Sequence, residues 1–143
     1  MRRRACACSK PAMDELAIAS SDDVVRVRQQ VRIAAAACGL SLVDQTKLVT
    51  AASELARNAL IHGGGGSARV EKATSPAGRA GVRVTFIDAG PGIAEIERAL
   101  TDGWSTGGGM GLGLSGARRL VDEFQLSSAP GQGTSVVVAK WSR

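Results

Sequence analysis

The sequence predicts an α+β fold in which helices pack on one face of a sheet, and three observations lead to it. Two long stretches, residues 21–38 and 41–61, carry apolar residues at helical spacing. Two pairs of alternating stretches follow, each joined by a Gly/Pro turn, so sequential strands pair as hairpins. The apolar 44% of the chain is mostly Ala, Val, Leu and Ile, and the aromatics are only Phe86, Trp104, Phe124 and Trp141, so the core is aliphatic. A chain of 143 residues suffices for one such domain with a real core and is too short for two.

Residues 1–12 read as a flexible tail, and 13–143 as the domain. "DELAIAS" suits a short edge strand. "SSDDVVRVRQQVRIAAAACG" suits a helix capped by Ser21 or Asp22, with Asp22 and Asp23 at its positive end and Gly39 past its last turn. Its buried face is Val24, Val27, Val31, Ala34, Ala35 and Cys38. A second helix starts at Ser41, with Asp44 at the capping-box position, and runs to about Ile61 on a stripe of Val49, Ala52, Leu55, Ala56, Ala59 and Leu60. "HGGGG" stops it, because consecutive glycines do not sustain a helix. "SARVEKATS" and "VRVTFID" alternate as strands around the turn "PAGRAG". A short helix is expected near "IAEIERAL". A glycine-rich, lid-like loop comes next, then a helix ending near Phe124. The hairpin "QLSSAPGQGTSVVVAKW" closes the domain, with its turn at 130–133.

Net charge is +5, and removing Arg2, Arg3, Arg4 and Lys10 of the tail leaves +1 for the body. Basic residues interleaved with stacking aromatics are absent, so nucleic-acid binding is not expected. No apolar run approaches the ~20 residues of a membrane span. The basic start is not followed by the apolar stretch of a signal peptide, which points to a cytoplasmic protein. Cys6, Cys8 and Cys38 are odd in number without a secretory signal, so reduced thiols are expected rather than a disulfide framework.

Four segments carry candidate chemistry. In "ELARNALIH", Glu54 and Asn58 lie one helical turn apart at the border of the core stripe. They suit either a solvated surface pair or an active pair, with Asn58 as a Mg²⁺ ligand through its carbonyl oxygen and Glu54 as base. In "FIDAGPGI", Asp88 ends a buried strand, and Gly90, Gly92 and Ile93 follow. A tight turn is one reading. A base pocket is the other, in which the carboxylate accepts a hydrogen bond from the exocyclic amine of adenine and rejects guanine. In "STGGGMGLGLSGARRL", Ser105, Thr106, Gly107, Gly108, Gly109, Met110, Gly111, Leu112, Gly113 and Leu114 lead into a helix. Unpaired amides at its start, with glycines that admit close approach, suit phosphate oxygens. No Gly-Lys-Ser/Thr follows, so this is not a Walker loop. Gly111, Gly113 and Gly116 fit G-x-G-x-x-G but follow a polar loop instead of a strand. A flexible linker remains the plain alternative, and the segment is expected to be mobile. In "GQGTSVVV", Gly131 and Gly133 suit a turn, and Thr134 offers a hydroxyl to the pocket.

In order, "ELARNALIH", "DAGPG", "GMGLGL" and "GT" resemble the N, G1 and G2 boxes and the last nucleotide contact of the GHKL ATPase/kinase superfamily. The resemblance covers about residues 14–141. "ASELARN", "DGWSTGGGMGLGLSGARRLVDEF" and "GQGTSVVVAKW" closely resemble the RsbT-type serine/threonine kinases of bacterial stress-response partner switching. The resemblance implies a Bergerat-fold two-layer sandwich: a mixed, mostly antiparallel sheet, helices on one face and a short ATP lid. It further implies ATP and Mg²⁺ as cofactors and phosphorylation of Ser or Thr on a STAS-domain antagonist. It assigns Glu54 as general base, Asn58 as Mg²⁺ ligand, Asp88 as adenine ligand and Gly107–Gly113 as phosphate cradle. A sensor histidine kinase is not implied, since the lone His62 follows the N box directly. Two alternatives stand beside the kinase: an anti-sigma factor that sequesters a sigma subunit when ATP is bound, and a contact activator of a PP2C-type phosphatase.

Overall fold

The computed structural model describes residues 13–88, 90, 113–128, 131 and 133–143. The tail at 1–12, the short helix near "IAEIERAL" and most of the glycine-rich loop lie outside the described residues. Strand β1 (Met13–Ile18) is followed by α1 (Ser21–Ala37) and α2 (Leu42–Ile61). Next come β2 (Gly66–Thr74), β3 (Ala80–Asp88), α3 (Gly113–Leu120), β4 (Glu123–Ser128) and β5 (Thr134–Trp141). The five strands form one sheet in the order β1-β2-β3-β5-β4. All its pairs are antiparallel among the described residues, where the family resemblance implies a mixed, mostly antiparallel sheet.

The pleat assigns the faces. Ala68, Val70, Val82, Val84, Phe86, Val136 and Val138 alternate along β2, β3 and β5 and are buried. They meet Val27 and Val31 of α1 and Leu48, Leu55 and Ala59 of α2 in one aliphatic core. Both long helices thus lie against the same face. Fully burying one such Val or Leu side chain contributes about 1.5–3 kcal/mol, and the interlocking of many such residues fixes the helix–sheet layer.

Three local details depart from the sequence reading. The N-cap of α1 is Ser20, whose side chain makes no cap bond; instead Asp23 accepts from the Ala19 N–H at 2.8 Å. At α2, the Asp44 N–H donates to Ser41 Oγ at 3.1 Å, which is half of a capping box. The Asp44 carboxylate does not turn back to complete it but pairs with Lys140 and Arg143. Finally, α3 stops at Leu120 rather than near Phe124. The Asp122 N–H donates to Ala139 O, and the Asp122 carboxylate accepts from the Trp141 N–H at 2.8 Å. Those bonds turn the chain onto β5, and Phe124 enters β4 opposite Val138.

Candidate active site

Asp88 is the last residue of β3, in register with Gly66 on one side and Thr134 on the other. It continues the inward series Val82, Val84, Phe86, so its side chain leaves the sheet on the helix face and is half-buried. Its Oδ1 accepts from the Gly90 N–H at 2.9 Å. Thr134 projects to the same side, and its hydroxyl lies 2.9 Å from Ser128 Oγ. Ser128 donates to Gly133 O at 2.9 Å, so Thr134 supplies the proton between the two hydroxyls. Ser128 is absent from the sequence reading, and the register of the hairpin, fixed only once the turn is known, is what places it there.

Glu54 and Asn58 lie one turn apart on α2, beside the buried Leu55 and Ala59, and both are half-buried. The Glu54 side chain, 19% exposed, has Arg57 Nη1 at 3.8 Å, a loose pair whose cation is half in solvent. Such a pair contributes little stability and leaves the carboxylate able to take another partner. The Asn58 backbone carbonyl accepts from the N–H groups of His62, at 2.9 Å, and Gly63, at 3.3 Å. Gly63 in turn packs directly on the Asp88 carboxylate. One residue therefore joins the end of the Asn58 helix to the Asp88 strand, although they are 30 positions apart in sequence.

Gly113 opens α3, and Leu114 packs against the core. The helix lies on α2, has no acidic residue in its first turn and carries Arg118 and Arg119 in its last. An N-terminus free of carboxylates suits an anion. Gly92, Ile93, Ser105, Thr106, Gly107, Gly108, Gly109, Met110, Gly111 and Leu112 lie outside the described residues.

These residues fit a purine nucleotide. A half-buried carboxylate, an acceptor for a base amine, ends β3 beside the close-packed Gly63 and Gly90. Among the described residues no group of three His, Cys, Asp or Glu side chains gathers to hold a metal. One amide ligand such as Asn58 is consistent with Mg²⁺ when phosphates and waters complete its shell.

Sheet order, helix layer and the pairing of Asp88 with the Asn58 helix define a class. The chain belongs to the family of histidine kinase-, DNA gyrase B- and HSP90-like ATPases, whose model matches residues 43–142. Within it, the chain is 43% identical over 121 residues to the serine/threonine-protein kinase RsbT of Bacillus subtilis (strain 168), covering 85% of this chain and 90% of that protein. It is 33% identical over 97 residues to the anti-sigma F factor of Thermoanaerobacter sp. (strain X514), covering 64% of this chain and 66% of that one. The crystal structure of the RsbU and RsbW domains of a Mycobacterium tuberculosis protein shares the fold, with a TM-score of 0.63 at 24% identity. That match covers 92% of this chain and 33% of the other.

Proposed function

We propose that the protein is an ATP-dependent serine/threonine kinase that phosphorylates a STAS-domain antagonist in the cytoplasm. The observation that carries the ATP site is the placement of Asp88, half-buried at the end of β3 with Oδ1 held by the Gly90 N–H. Its other carboxylate oxygen is the acceptor for the exocyclic amine of adenine. Kinase activity, as distinct from ATP binding alone, is supported by the similarity to RsbT along most of both chains.

ATP supplies the γ-phosphoryl group, whose bond to the β-phosphate breaks, and ADP leaves. Asp88 selects the base, Thr134 contributes its hydroxyl, and the amides from Gly107 to Leu114 hold phosphate oxygens. Asn58 presents its side-chain oxygen to Mg²⁺, and Glu54 accepts the proton of the incoming Ser or Thr hydroxyl. General base catalysis of this kind contributes roughly 10²–10⁴-fold. The test is incubation with labelled ATP and STAS-domain proteins, followed by mapping of the phosphorylated residue. Absence of transfer to any of them, with ATP bound, overturns the kinase reading.

The similarity to the anti-sigma F factor favours a second reading, sequestration of a sigma subunit. It has the lower identity and covers less of the chain. Capture of a sigma subunit without phosphotransfer would establish it. A PP2C-type phosphatase is a further partner to assay with the same protein.

A further inference from the structure

The run Gly63–Gly66 divides into two kinds of glycine. Gly64 and Gly65 have φ of 72° and 115°, the left-handed side that glycine favours, and they turn the chain from α2 into β2. The Gly65 N–H closes that turn on Ala59 O at 2.9 Å. Gly63 is not among the positive-φ residues, so its backbone admits any side chain. Space does not. A Cβ on Gly63 would lie 2.4 Å from Asp88 Cγ, 2.6 Å from Asp88 Cβ and 2.7 Å from Asp88 Oδ1. Gly90 completes the stack, since a Cβ there would lie 2.6 Å from Gly63 Cα and 3.1 Å from Asp88 Oδ1. The Asp88 carboxylate is thus confined: the Gly90 N–H holds Oδ1, and the carboxyl group fills the space that a side chain on Gly63 would need.

We propose that Gly63 is a positioning residue that sets the orientation of the Asp88 carboxylate and thereby the selection of the 6-amino group of adenine. The proposal rests on the assignment of Asp88 as the adenine ligand. Through its N–H on Asn58 O, Gly63 also fixes the last turn of α2 relative to that carboxylate, so the metal side and the base side of the site share one joint. A methyl group at position 63 meets Asp88 Cγ and Oδ1, which side-chain rotation can move, and Asp88 Cβ, which it cannot, so the carboxylate turns and the end of β3 shifts with it. The alignment to the amine is lost.

The experiment compares binding of ATP and of purine riboside triphosphate, which lacks the 6-amino group, by calorimetry. The parent protein is expected to prefer ATP by roughly tenfold to hundredfold, the range for a hydrogen bond to a charged acceptor. Gly63→Ala is expected to bring that ratio close to one. Gly90→Ala, which intrudes on the same stack from the other side, carries the same expectation and serves where the first variant fails to fold. Gly64→Ala strains the turn but meets no atom within 4 Å, so it lowers thermal stability and keeps the ratio. A general loss of structure weakens both ligands alike and leaves the ratio unmoved. If both Gly63→Ala and Gly90→Ala preserve the preference while Asp88→Asn abolishes it, the role of Gly63 is overturned and Asp88 stands. If Asp88→Asn preserves it, the adenine assignment itself falls, and the proposal with it.

Discussion

At the scale of single residues, the site rests on a small number of polar atoms whose chemistry is separable. In the adenine site proposed above, Asp88→Asn would turn one acceptor oxygen into a donor toward the amine. ATP affinity is expected to drop at least tenfold, the cost of an unmatched hydrogen bond to a formerly charged acceptor, as measured by calorimetry. Unchanged affinity removes Asp88 from the base pocket. Glu54→Ala acts elsewhere. It leaves ATP binding near the parent value and reduces phosphotransfer by roughly 10²-fold or more, read in a single-turnover assay. Intact transfer removes Glu54 as base. The loose contact to Arg57 at 3.8 Å makes Arg57→Ala a poor mimic of that loss, because the pair is half exposed and contributes little. The described thiol, Cys38, donates to Gly81 O at 3.3 Å, and its burial raises its pKa despite the nearby Lys72 charge. It should alkylate more slowly than an exposed cysteine at neutral pH, as mass spectrometry of a timed reaction will show.

At the scale of elements, periodicity made most of the fold legible. The stripes of α1 and α2 and the alternation of β2 and β3 each report a buried face, and a buried face is what side-chain spacing encodes. The end of α3 was not legible. Ala117, Leu120, Val121 and Phe124 keep helical phase, so nothing local marks Leu120 as the last residue. What ends the helix is the capture of Asp122 by β5, a contact 19 positions away along the chain. The glycine run shows the same limit. Its turn function follows from composition, whereas the role of Gly63 depends on a strand end that only the folded chain brings near. Where a signal is local, its energy is predictable as well. The Ser41 cap on the Asp44 N–H is such a case, and Ser41→Ala is expected to cost about 1 kcal/mol and lower the thermal midpoint by a few degrees. A loss below a few tenths of a kcal/mol would show that the α2 start is held by packing alone.

At the scale of the whole molecule, one charged cluster ties the end of the chain to both layers. Lys140 points to the helix face with a side chain only 5% exposed, between Asp44 of α2 at 3.7 Å and Asp122 before β4 at 3.5 Å. Arg143 closes the group at 3.6 Å from Asp44 and 3.0 Å from Asp122. Three segments distant in sequence meet there, and no short motif announces it. Asp44 looked like a capping residue, and the sequence reading assigned Lys140 no role. Burial tends to raise the Asp122 pKa, but the Trp141 N–H and the charges of Lys140 and Arg143 outweigh it, so the carboxyl is held below its ordinary value of 3.8. A depressed carboxyl stabilises the fold fully above its unfolded value and loses that contribution as pH falls through the folded one. The stability gap between the parent and Asp122→Asn, followed by thermal melts, should therefore be constant near neutrality and shrink below about pH 4. Removal of the cation is more severe, because it leaves two carboxylates with only the exposed Arg143 as counter-charge. Lys140→Met is expected to cost about 3 kcal/mol, the lower end for a broken buried pair. Adding Asp44→Leu removes one stranded charge and should restore part of that loss, so the double variant melts above the single one. A double variant that loses the sum of both single losses would show that Asp44 and Lys140 act independently, and the cluster would then not be the tie between α2 and the last strand.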